Sequence, residues 1–287
     1  MEASTTSIPT PAPATTRRGS ASATRRPWAA RRVDQPARRP DERALPQLAL
    51  RGIIAVWAAA ALPMGLLAWV VSPWLADRMS GPGALSRALI FTLTGGLIWQ
   101  FVLVLALVWR EQRTLRWSVL KDALWLRAPR APRTGRRGGR VWLVVLPLIV
   151  AYAVEGLLVL PGPASRDPGA FLGSHAGHTL LKGSWGWFAI IVMVAVFNTV
   201  LGEELLFRGF LLPRMNGVFG RRDWLANGVL FAGYHLHMPW EIPTTLLDTF
   251  ILAYPSKRYR SALIGIAVHS AQSVLLVGIA LSLVLKG

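Results

Sequence analysis

Residues 185–215 read WGWFAIIVMVAVFNTVLGEELLFRGFLLPRM. Residues 185–202 carry no charge, and at about 1.5 Å per residue they are long enough to approach the ~30 Å hydrocarbon core of a bilayer. The apolar run then continues through Glu203, Glu204 and Arg208. Each charge held at that depth costs about 2.5–3.5 kcal/mol on insertion scales, so three together require partners or a wet cavity. Glu204 and Arg208 are spaced i,i+4 and share a helix face, so they can pair. Glu203 lies about 100° round the helix and is left without that partner.

Other apolar runs surround this one. Residues 50–76, 88–109, 141–161 and 261–285 each reach the length of a membrane span, while 224–238 and 242–254 are shorter and read as short spans or as a pair that dips in and returns. The composition agrees: 53% of the 287 residues are hydrophobic and 16% charged. The fold expected is all-α, a polytopic membrane helix bundle of about seven transmembrane helices. Tryptophans 57, 69, 74, 99, 109, 142 and 187 fall in or near the run ends, as an interfacial belt or interhelical packing would place them. There is no cysteine, so disulfides, thiolate nucleophiles and cysteine-ligated metals are excluded.

The charge pattern orients the bundle. The net charge is +18, and segments 1–51, 110–140, 213–223 and 255–260 hold 26 of the 32 Lys and Arg. Five more (Arg78, Arg87, Arg166, Lys182, Lys286) fall on the opposite side, and Arg208 is the remaining one. The positive-inside rule then places the N-terminus in the cytoplasm. Residues 1–48 contain nine Arg with Ala, Pro, Ser and Thr and no apolar run, which reads as a disordered cytoplasmic tail lying against anionic headgroups. The same accounting explains the positive charge without nucleic acid. Three regions follow: the tail 1–48; N-terminal transmembrane helices over 49–184 with a basic cytoplasmic loop at 110–140; and a second membrane domain over 185–285. Within the basic loop, 117–127 (WSVLKDALWLR) is amphipathic and reads as a surface helix or one packed on the spans.

Two histidines join the ion cluster. Phe231 and His235 share a face of the next apolar piece, and His269 sits within the last span with Ser273 on its face and Gln272 about 100° away. Polar groups in lipid turn toward the bundle interior, so Glu203, Glu204, His235 and His269 are expected to converge. His175-x-x-His178 has metal-pair spacing but no third ligand nearby, and reads as a plain loop on the external side. No role follows from the sequence for His237 or Glu241, and Asp248 is equally a cavity residue or a helix cap.

The set Glu203-Glu204-Leu-Leu-Phe-Arg208-Gly209, then Phe231-x-x-x-His235, then His269 resembles the three motifs of the CPBP family, the type II CAAX prenyl endopeptidases and the Abi bacteriocin-processing and immunity proteins. The resemblance covers roughly 185–280. It implies a CPBP/CAAX-protease-like catalytic domain over 185–285, in which Glu203 is the catalytic glutamate, Glu204 and Arg208 the supporting pair, and His235 and His269 the active-site histidines. The family's third motif ordinarily ends in Asn, four residues after its histidine. Here Ser273 stands there and offers one shorter donor.

The chemistry expected is peptide hydrolysis. A carboxylate in a low-dielectric cavity is a useful general base near neutrality. Glu203 would activate water, His235 would orient it, and His269 with Ser273 would donate to the oxyanion. Glu203, His235 and His269 are also an acceptable zinc set, so a glutamate-only and a metal-dependent, metalloprotease-like route both stay open. The leading expectation is an intramembrane hydrolase, an endopeptidase of the CAAX-box-processing type. It would sit in the cell inner (plasma) membrane among lipids and cleave a membrane-associated or lipidated peptide or protein at the cytoplasmic boundary. The alternatives are a non-catalytic membrane binding or immunity protein that retains the protease fold, and a proton- or ion-coupled transporter. No internal symmetry favours the transporter.

Overall fold

The structure, a computed structural model, describes residues 45–286. Most of the Arg-rich tail, residues 1–44, lies outside the described residues. Its last residues are anchored: Leu48 N–H donates to the Arg214 carbonyl at 3.0 Å, and Gln47 Nε2 to the Pro213 carbonyl at 3.1 Å.

The regular secondary structure of the described residues is helical throughout, apart from one isolated bridge between Arg130 and Arg137. Five helices among them are long and apolar enough to cross a membrane: α1 (Leu50–Ala76), α2 (Ala84–Gln112), α3 (Gly139–Gly156), α4 (Trp185–Arg214) and, as the last helix, Ala262–Leu285. The two shorter apolar pieces take another form. Residues Asp223–Tyr234 make a single 12-residue helix, α5. At about 18 Å it is too short to cross alone. Residues 242–259 are broken into a four-residue turn, a wide π-type turn (Thr249–Ala253) and a six-residue helix. The final helix Ala262–Leu285 is α6.

The core is built where α1, α2, α4 and α5 meet, from Ile53, Ala60, Met64, Val104, Leu206 and Phe207 among others. Indole donors tie these helices together. Trp57 Nε1 donates to the Leu230 carbonyl of α5 at 2.7 Å. Trp99 Nε1 of α2 donates to the Ala59 carbonyl of α1 at 2.9 Å. Ala59 is the residue four before Pro63, whose missing N–H leaves that carbonyl without its helical partner. The indole fills the vacancy, so a proline inside a span is tolerated because its neighbour supplies the donor. Three of the belt candidates, Trp57, Trp69 and Trp99, therefore bond backbone carbonyls of other segments.

The two ends of the bundle differ. At one end the loops after α2 and α4 join the turn before α6. Arg130 N–H bonds the Tyr259 carbonyl at 2.8 Å, and Ala262 N–H the Trp125 carbonyl at 3.0 Å. Arg214, fully buried, forks onto Glu111 at 2.8 and 2.9 Å. The amphipathic stretch forms helix Trp117–Ala123 here; Ala123 and Leu124 pack into the core while Trp117 stays exposed. At the other end, Arg166 lies over Trp69 and donates to the Ala68 carbonyl at 3.2 Å. His175 and His178, expected in a plain loop, lie instead in helix His175–Leu181, which follows helix Pro168–Gly173. Asp167 and Ser174 side chains cap them, accepting from Ala170 N–H and Gly177 N–H. A capped turn forms even in so short a helix, because the cap satisfies a donor that would otherwise be orphaned.

Candidate active site

The charged stretch of α4 is not a regular α-helix. Wide π-type turns span Phe197–Gly202 and Leu205–Leu211, flanking Glu203 and Glu204. Such turns aim side chains that an ideal helix would direct elsewhere, and they concentrate at functional sites. Gly202 permits the first: a methyl there would lie 2.4 Å from the Phe197 carbonyl oxygen and 3.3 Å from that of Leu97 on α2.

Glu204 and Arg208 are both fully buried, with Arg208 Nη1 3.1 Å from Glu204 Oε1. The guanidinium lies 3.9 Å from the Phe231 ring centroid, a cation–π contact, and makes no aligned hydrogen bond among the described residues. The same Oε1 contacts His269 Nδ1 at 3.1 Å. The expected pair is thus a chain of three, Arg208–Glu204–His269, linking α4 to α6. Gly265 makes room for it, since a methyl there would lie 2.2 Å from Glu204 Oε2.

The imidazoles are oriented alike. His235 Nδ1 lies 3.0 Å from the Phe231 carbonyl. A carbonyl only accepts, so Nδ1 carries the proton and Nε2 is left as an acceptor. In His269 the carboxylate of Glu204 plays the same part. Tyr152 of α3 meets the His269 ring edge-to-face at a centroid distance of 5.4 Å.

Glu203, His235, His269 and Ser273 line one cavity of about 270 Å³. Glu204 and Arg208 lie behind its wall. The six sequence-predicted residues therefore divide into four at the cavity and two that brace it. Asp248 also lines the cavity and its side chain makes no capping hydrogen bond, which decides between the two roles the sequence left open. His178 and His175 border a different, smaller depression beside Lys182 and Lys286.

Several residues were not legible as site residues. Tyr234 is buried beside Glu203 and its hydroxyl accepts from Gln100 Nε2 at 2.6 Å, which leaves its proton for the carboxylate. The signal was a glutamine in the middle of an apolar span, which is costly without a partner. His237 stacks against His235 with ring centroids 5.4 Å apart. Asn198, one π-type turn before Glu203, also lines the cavity. Among the described residues no group of three or more His, Asp or Glu side chains comes together closely enough to hold a metal ion. Glu203, His235 and His269 share the cavity, but as placed they do not form a zinc cage.

The cavity runs from Glu203 and His269 toward Gly156, Val159, Met238 and Glu241. That is the end of the bundle away from loops 113–138, 215–222 and 256–261. The sequence reading expects cleavage at the boundary beside the basic loops. The glutamates do lie nearer that end, but buried residues such as Arg208, Phe207 and Leu124 close it.

Residues 185–275 match the family model described as Type II CAAX prenyl endopeptidase Rce1-like. The match includes every residue placed in the cavity from α4, α5 and α6 except Leu276, and it agrees with the CPBP resemblance. No curated protein and no solved structure matches the chain.

Proposed function

We propose that this is an integral-membrane endopeptidase that hydrolyses a peptide bond of a membrane-associated or lipidated protein, with Glu203 as general base. The observation that carries this reading is the shared cavity: a carboxylate on α4, an imidazole after α5 and an imidazole on α6 face one polar space inside an apolar bundle. The Rce1-like match supports the reaction class.

Water held between Glu203 and the free Nε2 of His235 loses a proton to Glu203 as its oxygen attacks the scissile carbonyl carbon. Tyr234 orients the carboxylate. The oxyanion that forms is met by donors on the cavity wall, Ser273 and the Asn198 amide, beside His269, whose ring Glu204 holds in place through Nδ1. Glu203 returns the proton to the leaving amine as the C–N bond breaks, so the base ends as it began. Arg208 is the partner of Glu204, which leaves Glu203 as the carboxylate that faces the cavity.

The basic loops mark the cytoplasmic end on the positive-inside rule, and the short segments α5 and 242–259 make the fifth and sixth passes of the bundle, with α6 the seventh. The substrate then reaches the cavity from the opposite leaflet, and a prenylated terminus is one form of lipid anchor among several. The test is direct. Purified Glu203→Gln protein should insert and fold as the parent does, but cleave a lipid-anchored peptide at least about 10²-fold more slowly. Undiminished cleavage removes Glu203 from the chemistry. Ser273 in place of Asn favours the second reading, a non-catalytic binding or immunity protein. In that case Glu203→Gln and His269→Ala would leave a protective phenotype unaltered.

A further inference from the structure

Hydrolysis uses one carboxylate of the cavity wall, yet the wall carries three more: Glu155 at the end of α3, Glu241 in the turn after α5, and Asp248. Glu155 interacts with both of the others. No Lys or Arg lines the cavity, and among the described residues none of the three makes an ion pair that would offset their mutual repulsion. Asp248 is the sharpest case. It is 4% exposed, and its Oδ1 has no hydrogen-bond partner among the described residues. Arg208 attracts Asp248 through space but makes no ion pair or hydrogen bond with it, being paired to Glu204 and packed on the Phe231 ring. Carboxylates gathered in a partly desolvated space with no cation bonded to them destabilise the fold, and apolar residues of similar size would serve packing better. Their placement makes sense if a cation enters.

We propose that the cavity binds the cationic side chain of a lysine or arginine in the substrate, with Asp248 as its anchor and Glu155 and Glu241 drawing it in from the mouth. This deepens the endopeptidase reading and rests on it for the ligand being a peptide. A metal ion is the poorer occupant, because the described residues offer no three-ligand group. A primary ammonium or guanidinium needs only one well-placed carboxylate, and such charge-assisted bonds are the strong ones.

The test reads binding rather than turnover. Glu203→Gln protein in detergent is titrated with fluorescent palmitoylated hexapeptides that differ only in carrying Lys, Gln or Glu at one central position. The Lys peptide should bind about tenfold tighter than the Gln peptide, and the Glu peptide weakest. The net charge of +18 would impose the reverse order on non-specific binding. Asp248→Asn, checked for an unchanged thermal melt, should remove the Lys preference. Glu155→Gln, nearer the mouth, should reduce it. Equal binding of the Lys and Gln peptides, or a Lys preference that survives Asp248→Asn, overturns the proposal. So does saturable Zn²⁺ binding that Asp248→Asn abolishes without any Lys preference. Cleavage of the same peptides by the unaltered protein decides the hydrolase reading separately, so either idea can fail alone.

Discussion

Glu204 is held by an ion pair on one side and a histidine hydrogen bond on the other, and that makes it the residue on which the site's geometry turns. Its Oε1 meets both Arg208 and His269, and its Oε2 fits against Gly265. Replacing Arg208 with Met would leave a buried carboxylate uncompensated, which costs about 3–5 kcal/mol. A markedly lower melting temperature in detergent is the expected result, and Glu204→Gln in the same background should recover part of it. Gly265→Ala acts more locally. Its methyl would displace the carboxylate and so turn His269, and a shift of that kind costs about 10²-fold in rate. Peptidase rates with the melting temperature in parallel would show activity lost before stability. Tyr234→Phe should lower kcat with little change in KM, since its hydroxyl acts on Glu203 and not on bound peptide.

The helices hold these residues through a few specific devices. The wide turns in α4 place Glu203 and Glu204 differently from an ideal 3.6-residue helix. The Glu204–Arg208 pair was readable because i,i+4 partners stay close in either winding. The separate bearing of Glu203 was readable only in outline, since the added residue per turn changes the angle. Pro63 and Trp99 show the same division. A proline in a span is visible in the sequence, but the indole that satisfies the freed Ala59 carbonyl comes from another helix. Trp99→Phe should therefore cost about 1–3 kcal/mol, more than an exposed aromatic change warrants, because it orphans a carbonyl in the apolar region. Thermal unfolding of Trp99→Phe beside Trp69→Phe, whose partner carbonyl lies at the bundle end, would measure the difference.

At the scale of the whole molecule, the cavity and the basic loops occupy opposite ends. Because the chain lacks cysteine, single cysteines report orientation directly. Ser165→Cys and Met238→Cys should react with a membrane-impermeant maleimide on intact cells, and Thr134→Cys only after permeabilisation. Labelling in the reverse order would put the cavity on the cytoplasmic side.

Hydrophobic runs and the placement of Lys and Arg determined by themselves that the chain is a helical membrane bundle, because water and lipid sort those side chains whatever the packing. The cost of charge in lipid likewise marked Glu203, Glu204, Arg208, His235 and His269 as residues in need of company. The direction in which the cavity opens, the recruitment of Tyr234 through Gln100 and the cavity-facing side of Asp248 were decided only by tertiary structure. Each depends on how separate helices are rotated and stacked against one another, and a one-dimensional pattern constrains those angles only weakly.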